Sequence, residues 1–202
     1  VDEEIVQTLN AVILTNVKAL HLRAKRTFVD YYGNTRKAGE EWLVTKAMTD
    51  SHIPDVYEVV VGEVSITTLN SRQYAVLVDP VDPKTGKPSF GKRLLRKGEA
   101  SFFLLPGERL ENGIQSIHVL DAQEALLLIA REQFKDGDVD RIPGDRWMIY
   151  GPTDYIPPVH VDIVEKRRAI PLDENEGVYV RDIKTGKVRA VKGEVYMLSP
   201  YE

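Results

Sequence analysis

Three aspartates, Asp136, Asp138 and Asp140, stand in a D-x-D-x-D run of the kind that opens a calcium-binding loop. A loop of the EF-hand type needs glycine at its sixth position and a bidentate glutamate at its twelfth to wrap the cation. Here those places hold Arg141 and Trp147, so the run reads as an acidic turn between strands. A weak calcium contact of another kind, helped by Asp79 and Asp82, is the alternative. Ser89-Phe90-Gly91-Lys92 matches the S-x-x-K string of serine acyl enzymes. That chemistry needs the serine at a helix start with its lysine one turn on. The string instead follows Lys87-Pro88 and contains a glycine, which places it in a loop. The Lys-Thr-Gly segments at Lys84 to Gly86 and Lys184 to Gly186 also match an element of those enzymes. They sit in two equivalent places of a repeat, and a tight turn explains both. The four histidines, His21, His52, His118 and His160, show no H-x-H or H-E-x-x-H spacing, so a zinc site would have to assemble across repeats. No G-x-x-x-x-G-K-[ST] or G-x-G-x-x-G loop offers a cradle for nucleotide phosphates. Cysteine is absent, which removes thiol catalysis and thiolate ligands. The residues therefore predict no catalytic, cofactor-binding or metal-binding site, no cofactor, and no enzyme.

Charge narrows the partners. Lys and Arg number 27 against 31 Asp and Glu, a net charge of −4, which lacks the basic excess of a stand-alone nucleic-acid binder. Positive residues cluster at Leu22 to Arg26 with Arg36 and Lys37 near, at Lys92, Arg93, Arg96 and Lys97, and at Lys166 to Arg168. We read these clusters as one side of a complementary seam between copies of the chain. The longest apolar runs, Ala125 to Ala130 and Phe102 to Leu105, fall far short of the ~20 residues of a membrane-spanning helix. The chain opens at Val1 without a charged-then-apolar leader. The expectation is a soluble fragment of a cytoplasmic, and also nuclear, protein, with no membrane contact and no direct contact to nucleic acid.

The elements that carry these residues recur. Asp-x-Lys-Thr-Gly-Lys stands at Asp82 to Lys87 and again at Asp182 to Lys187, each followed by Lys-Gly-Glu. Thr49-Asp50 precedes Ile53-Pro54, and Thr153-Asp154 precedes Ile156-Pro157, the two prolines lying 103 residues apart. Gly-acidic-x-x followed by two large apolar residues starts at Gly39, Gly98, Gly144 and Gly193. A period of roughly 50 residues marks stacked modules. We take these four glycines as equivalent turn positions at positive φ. Trp42, Trp147 and Tyr196, with Ser101 in the second repeat, then fill one equivalent core slot. Alternation at Leu20, Leu22 and Ala24 and at Tyr74, Val76 and Val78 has the two-residue period of a strand. Glu124 to Phe134 passes for a short helix, but its repeat position matches the strand at Arg72 to Asp79. The predicted fold is all-β, a tandem array of about four small antiparallel β-sheet repeats stacked into an elongated stave. The repeats span 1–54, 55–113 with an enlarged hairpin loop at Pro80 to Gly91, 114–157 and 158–202. Val56, Val59 and Val61, with Val159, Val161 and Ile163, are the expected contacts between repeats. A unit of ~50 residues buries too little surface alone, so neighbours must complete its core.

Arg36 to Thr45 (RKAGEEWLVT), Lys97 to Glu108 (KGEASFFLLPGE) and Arg168 to Val191 (RAIPLDENEGVYVRDIKTGKVRAV) resemble the repeat region of the major vault protein family, and the resemblance spans essentially the whole chain. It implies tandem β repeats that stack into a stave, with many staves side by side forming the wall of the hollow vault ribonucleoprotein particle. It implies further a shoulder domain and a cap helix beyond the repeats; this chain, from Val1 to Glu202, lies inside the repeats. The implied role is structural, a wall segment assembling with copies of itself. The alternative is a docking module in the first two repeats, Val1 to Gly113, for the C-terminal segment of the vault poly(ADP-ribose) polymerase.

Overall fold

The computed structural model describes residues 4–83 and 85–202. Val1 and Lys84, which open the first repeat and the earlier Lys-Thr-Gly segment, lie outside them. Among the described residues every regular element is a strand and none is a helix. The sheets are antiparallel and hold two or three strands each, as tandem β repeats require. The chain divides into two compact units, Val1–Ile114 and Gln115–Glu202.

In the first unit, Lys18–Ala24 is the centre of a three-stranded sheet, with Glu41–Val44 on one side and Glu58–Ser65 on the other. Two shorter pairs close the module: Val12–Ile13 with Ser51–His52, and the hairpin Phe28–Val29 with Thr35–Arg36. Leu14, Leu20, Leu22, Trp42 and Val44 form the core, against which Phe28 and Tyr32 pack. A second three-stranded sheet repeats the plan around Gln73–Val78, flanked by Arg93–Lys97 and Arg109–Ser116. Thr67–Leu69 pairs with Ala100–Phe102 beside it.

In the second unit Glu124–Ala130 is the central strand, between Arg146–Tyr150 and Val161–Arg168. His118–Leu120 pairs with Thr153–Tyr155, and Phe134–Asp136 with Val139–Arg141. The run Ala125 to Leu128 is buried throughout. A strand paired on both sides and covered on both faces has no polar face, so its sequence loses the alternation that would mark it as a strand. Ala and Leu favour a helix in isolation, and tertiary pairing overrides that preference. A last hairpin, Gly177–Arg181 with Val188–Lys192, is joined by a bridge between Ile170 and Tyr196.

The two units carry the same irregularity. Against Glu58–Ser65 the register of the central strand slips between His21 and Leu22, leaving Val61 as an extra residue. Against Val161–Arg168 it slips between Leu127 and Leu128, leaving Val164. Val61 and Val164 are 103 residues apart, the spacing of Pro54 and Pro157. A bulge bends its strand and leaves one residue out of the ladder.

Three expectations need correction. The Gly-acidic mark is two different features. Gly39 and Gly144 precede the flanking strands Glu41–Val44 and Arg146–Tyr150, whereas Gly98 and Gly193 follow Arg93–Lys97 and Val188–Lys192. All four glycines have φ between 65° and 90°, so the local string reports a positive-φ turn wherever one occurs and does not fix the register of the repeat. Trp42 and Trp147 are therefore equivalent, while Ser101 pairs with Thr68 and Tyr196 bridges to Ile170 in a different slot. Nor do all the valines near the prolines cover contacts between repeats. Val161 and Ile163 pack on Leu120, Leu126 and Leu128 within their own module, and Val56 and Val61 are exposed.

Candidate functional site

The residues whose types could do chemistry are held by turns and ion pairs. Asp136 faces Val139 across a hairpin turned by Gly137 at φ 61°, and its Oδ2 accepts from Arg141 Nε at 3.3 Å. Lys135 lies opposite Asp140. The Ser89 string forms a tight turn: the Lys92 amide donates to the Ser89 carbonyl at 3.1 Å, and the Gly91 amide to Asp79 Oδ1 at 2.7 Å. Around the two Asp-x-Lys-Thr-Gly-Lys copies the same bonds recur. The amides of Asp82 and Asp182 donate to the carbonyls of Lys87 and Lys187 at 3.0 and 2.9 Å. The amides of Gly86 and Gly186 donate to the carbonyls of Asp82 and Asp182, both at 2.8 Å. A loop that closes on itself twice in this way explains its residues without catalysis. Three histidines face a carboxylate each: His21 faces Glu41 at 3.0 Å, His52 faces Glu58 at 2.8 Å and His160 faces Glu132 at 2.5 Å. Burial, with Lys166 nearby, pushes the fourth, His118, toward its neutral form. Among the described residues no three His, Cys, Asp or Glu side chains gather as a metal would need.

Sequence reading missed a clamp that both units share. Arg36 lies over the Trp42 ring at 4.5 Å and donates to Asp30 at 2.8 Å; Arg141 lies over Trp147 at 4.4 Å and bonds Asp136. Phe28 and Phe134 tilt against the same two indoles. The signal was an arginine six residues before each tryptophan. A guanidinium over an indole face adds about 0.5–2 kcal/mol, more when desolvated. In the first unit the clamp is deep. Burial opposes ionisation of Asp30, but the Asn34 amide and Arg36 outweigh it and hold its carboxyl below its ordinary range. Beside it a buried polar chain runs from Tyr32 Oη to His52 Nδ1 at 3.0 Å, on to Glu58, and from there to the Asp55 amide at 3.0 Å. It fixes the Pro54 connection to the sheet. The corresponding positions of the second unit, Tyr155 and Val161, are packed in an apolar core.

Part of the charge of the basic clusters is paired within the chain. Arg36 bonds Asp30 at 2.8 Å, Arg93 bonds Glu111 at 3.1 Å, Lys166 bonds Glu124 at 2.7 Å and Arg167 bonds Glu165 at 2.6 Å. Lys25 donates to the Val56 carbonyl, and Arg26 stacks on Tyr57. The fold also leaves sheet edges open among the described residues. Glu41–Val44, Glu58–Ser65, Arg146–Tyr150 and Val161–Arg168 are each paired on one side only among the described residues. Along Glu41–Val44 runs a cleft of about 760 Å³, whose far wall is Val81, Lys87, Leu105 and Pro106.

Comparison with known proteins agrees with this architecture. Sequence profiles described as Major Vault Protein repeat domain match residues 12–55 and 118–158, 66–114, and 169–202. The chain is 63% identical over 203 residues to the major vault protein of Strongylocentrotus purpuratus, covering 99% of this chain and 24% of that protein. It is 60% identical over 204 residues to major vault protein alpha of Dictyostelium discoideum, covering 100% and 24%. Against the major vault protein of Bos taurus it is 54% identical over 204 residues, covering 99% and 23%. The chain thus spans about a quarter of the length of the curated relatives it matches. With the repeat profiles matching most of its length, and with the segments at 12–55 and 118–158 sharing one sheet plan, one bulge and one arginine–tryptophan clamp, the chain belongs to the major vault protein repeat family, whose members are structural components of the vault.

Proposed function

We propose that this chain is a wall segment of a vault-like ribonucleoprotein cage, without catalytic activity. Its repeats stack into an elongated stave that stands side by side with copies of itself. The observation that carries this reading is the pair of open edges on each three-stranded sheet. An open edge exposes unpaired backbone groups and must be covered or blunted, and a repeating array presents such edges at regular intervals. The four repeats proposed at 1–54, 55–113, 114–157 and 158–202 would supply those intervals. The protein works in the cytoplasm and also the nucleus, without contacting membrane or nucleic acid directly. Sedimentation of the chain over a hundredfold concentration range tests the reading. Reversible, concentration-dependent growth in mass is expected; a monomer at every concentration contradicts it.

A second reading is favoured by the cleft along Glu41–Val44, which is lined by residues of both the first and the second proposed repeat. In that reading the first two repeats dock the C-terminal segment of the vault poly(ADP-ribose) polymerase. A pull-down with that segment separates the two: capture by the folded chain supports docking, and no capture leaves the wall role alone.

A further inference from the structure

We infer that the lateral contact between copies is an apolar knob in a groove: the Val60-Val61 bulge of one copy seats in the cleft beside Glu41–Val44 of the next. The inference rests on the proposed side-by-side assembly and names its surface. The groove and the knob occupy opposite edges of one sheet, whose order is Glu41–Val44, Lys18–Ala24, Glu58–Ser65. Copies placed side by side in the same direction therefore bring the knob of one to the groove of its neighbour without rotation. Such a contact is heterologous and can propagate. The groove offers Leu43, Met48, Val81, Leu105 and Pro106 as apolar lining, with Met48 and Leu105 well exposed.

The knob is shaped by the bulge. Val61 has no ladder partner, because His21 faces Gly62 and Leu22 faces Val60. Val60 and Val61 are left 45% and 46% exposed on a strand edge. A bulge bends the edge and interrupts its row of backbone groups, which blocks continuous strand-to-strand addition. The contact such an edge can make is through side chains, and here they are two adjacent valines. The second unit repeats the exposed bulge residue as Val164, also 46% exposed, on Val161–Arg168, while Ile163, the counterpart of Val60, packs in its own core; Ile142 and Tyr150 are exposed by the opposite strand. A single accidental apolar edge would not recur at a spacing of 103 residues. Beside the knob, Lys18 pairs with Glu63 within the chain.

The chain has no cysteine, so introduced thiols report a single contact. The test is the 202-residue chain carrying Val61→Cys, Met48→Cys or both, treated with a short bismaleimide at a concentration where sedimentation shows association. The unchanged fold of each variant is checked by melting. The double variant should give a ladder of dimers, trimers and higher species, with each single variant no more cross-linked than the parent. Val61→Asp should weaken association at least tenfold, and added salt should leave the parent's association intact. Abundant dimers from Val61→Cys alone would mean that like edges meet, and would overturn the inference. Association that persists with no ladder would also overturn it while leaving the wall reading in place; loss of all association would remove both. Capture of the polymerase segment that is abolished by Met48→Asp, with self-association intact, would assign the groove to that partner instead.

Discussion

Replacing Asp30 with alanine should destabilise the first unit far more than the matching change at Asp136 destabilises the second. Asp30 accepts from the amides of Tyr32 and Asn34 at 3.0 and 2.8 Å and from Arg36 Nε at 2.8 Å, and its side chain is fully buried. Hydrogen bonds to a charged group contribute about 1.5–3 kcal/mol each, but they do not add. Removing one partner of a buried pair costs about 3–5 kcal/mol. Arg36 keeps Glu40 at 2.9 Å and the Trp42 face, which sets the expectation at the lower end, about 3 kcal/mol. Asp136 is 42% exposed and meets Arg141 at 3.3 Å, so its loss should cost about 1 kcal/mol or less. Each unit holds one of the two tryptophans, Trp42 and Trp147. Urea titration followed by fluorescence, in Trp147→Phe and Trp42→Phe backgrounds, therefore reads the units separately. With a slope of ~1–3 kcal/mol per M, Asp30→Ala should lower the Trp42 midpoint by at least ~1 M and Asp136→Ala the Trp147 midpoint by ~0.5 M or less. Equal shifts would refute the claim that burial decides what the clamp contributes.

The depressed carboxyl of Asp30 gives its stabilisation a pH window. It is fully present above the ordinary carboxylate value of 3.8 and is lost as pH falls through the lower folded value. The gap in melting temperature between parent and Asp30→Asn should thus be flat above pH 5 and shrink below pH 4; a gap that widens on acidification contradicts the assignment. Gly151→Ala should unfold the second unit well before Gly144→Ala does. A Cβ at Gly151 would lie 1.9 Å from the Asp121 carbonyl, whereas Gly144 faces open space and bears only its φ of 90°, a cost of about 1–2 kcal/mol. Melting curves decide between them, and similar losses would mean that the backbone near Asp121 yields easily. The cross-strand pair Lys18–Glu63 recurs with its signs exchanged as Glu124–Lys166. The double exchange Lys18→Glu with Glu63→Lys should accordingly melt within ~0.5 kcal/mol of the parent, as exposed pairs do; a larger loss would show a charge environment that the second unit lacks.

Much of the fold was legible because turns and prolines are local. The Asp-x-Lys-Thr-Gly-Lys loops, the positive-φ glycines and the strand at Glu124–Ala130 all follow from short-range chemistry and repeat position. That Gly39 and Gly98 hold different places in the module was not legible, since one turn chemistry serves both. The fate of the charges was equally hidden. Lys18 and Glu63, or Arg93 and Glu111, meet across strands far apart in sequence, so a cluster seen along the chain says little about its partners. Asp30, His52 and Glu58 are polar residues in a core, where composition predicts surface; only the fold brings Tyr32, Arg36 and the Asp55 amide to satisfy them.

Side-by-side assembly is tested most directly by small-angle scattering over a range of concentrations. At infinite dilution an elongated stave should give a radius of gyration clearly above the ~16.5 Å of a compact globule of this length. As concentration rises, lateral association should enlarge the radius of gyration of the cross-section in steps while the longest dimension grows little. A constant cross-section with a growing longest dimension would mean end-to-end association, and would contradict the wall account.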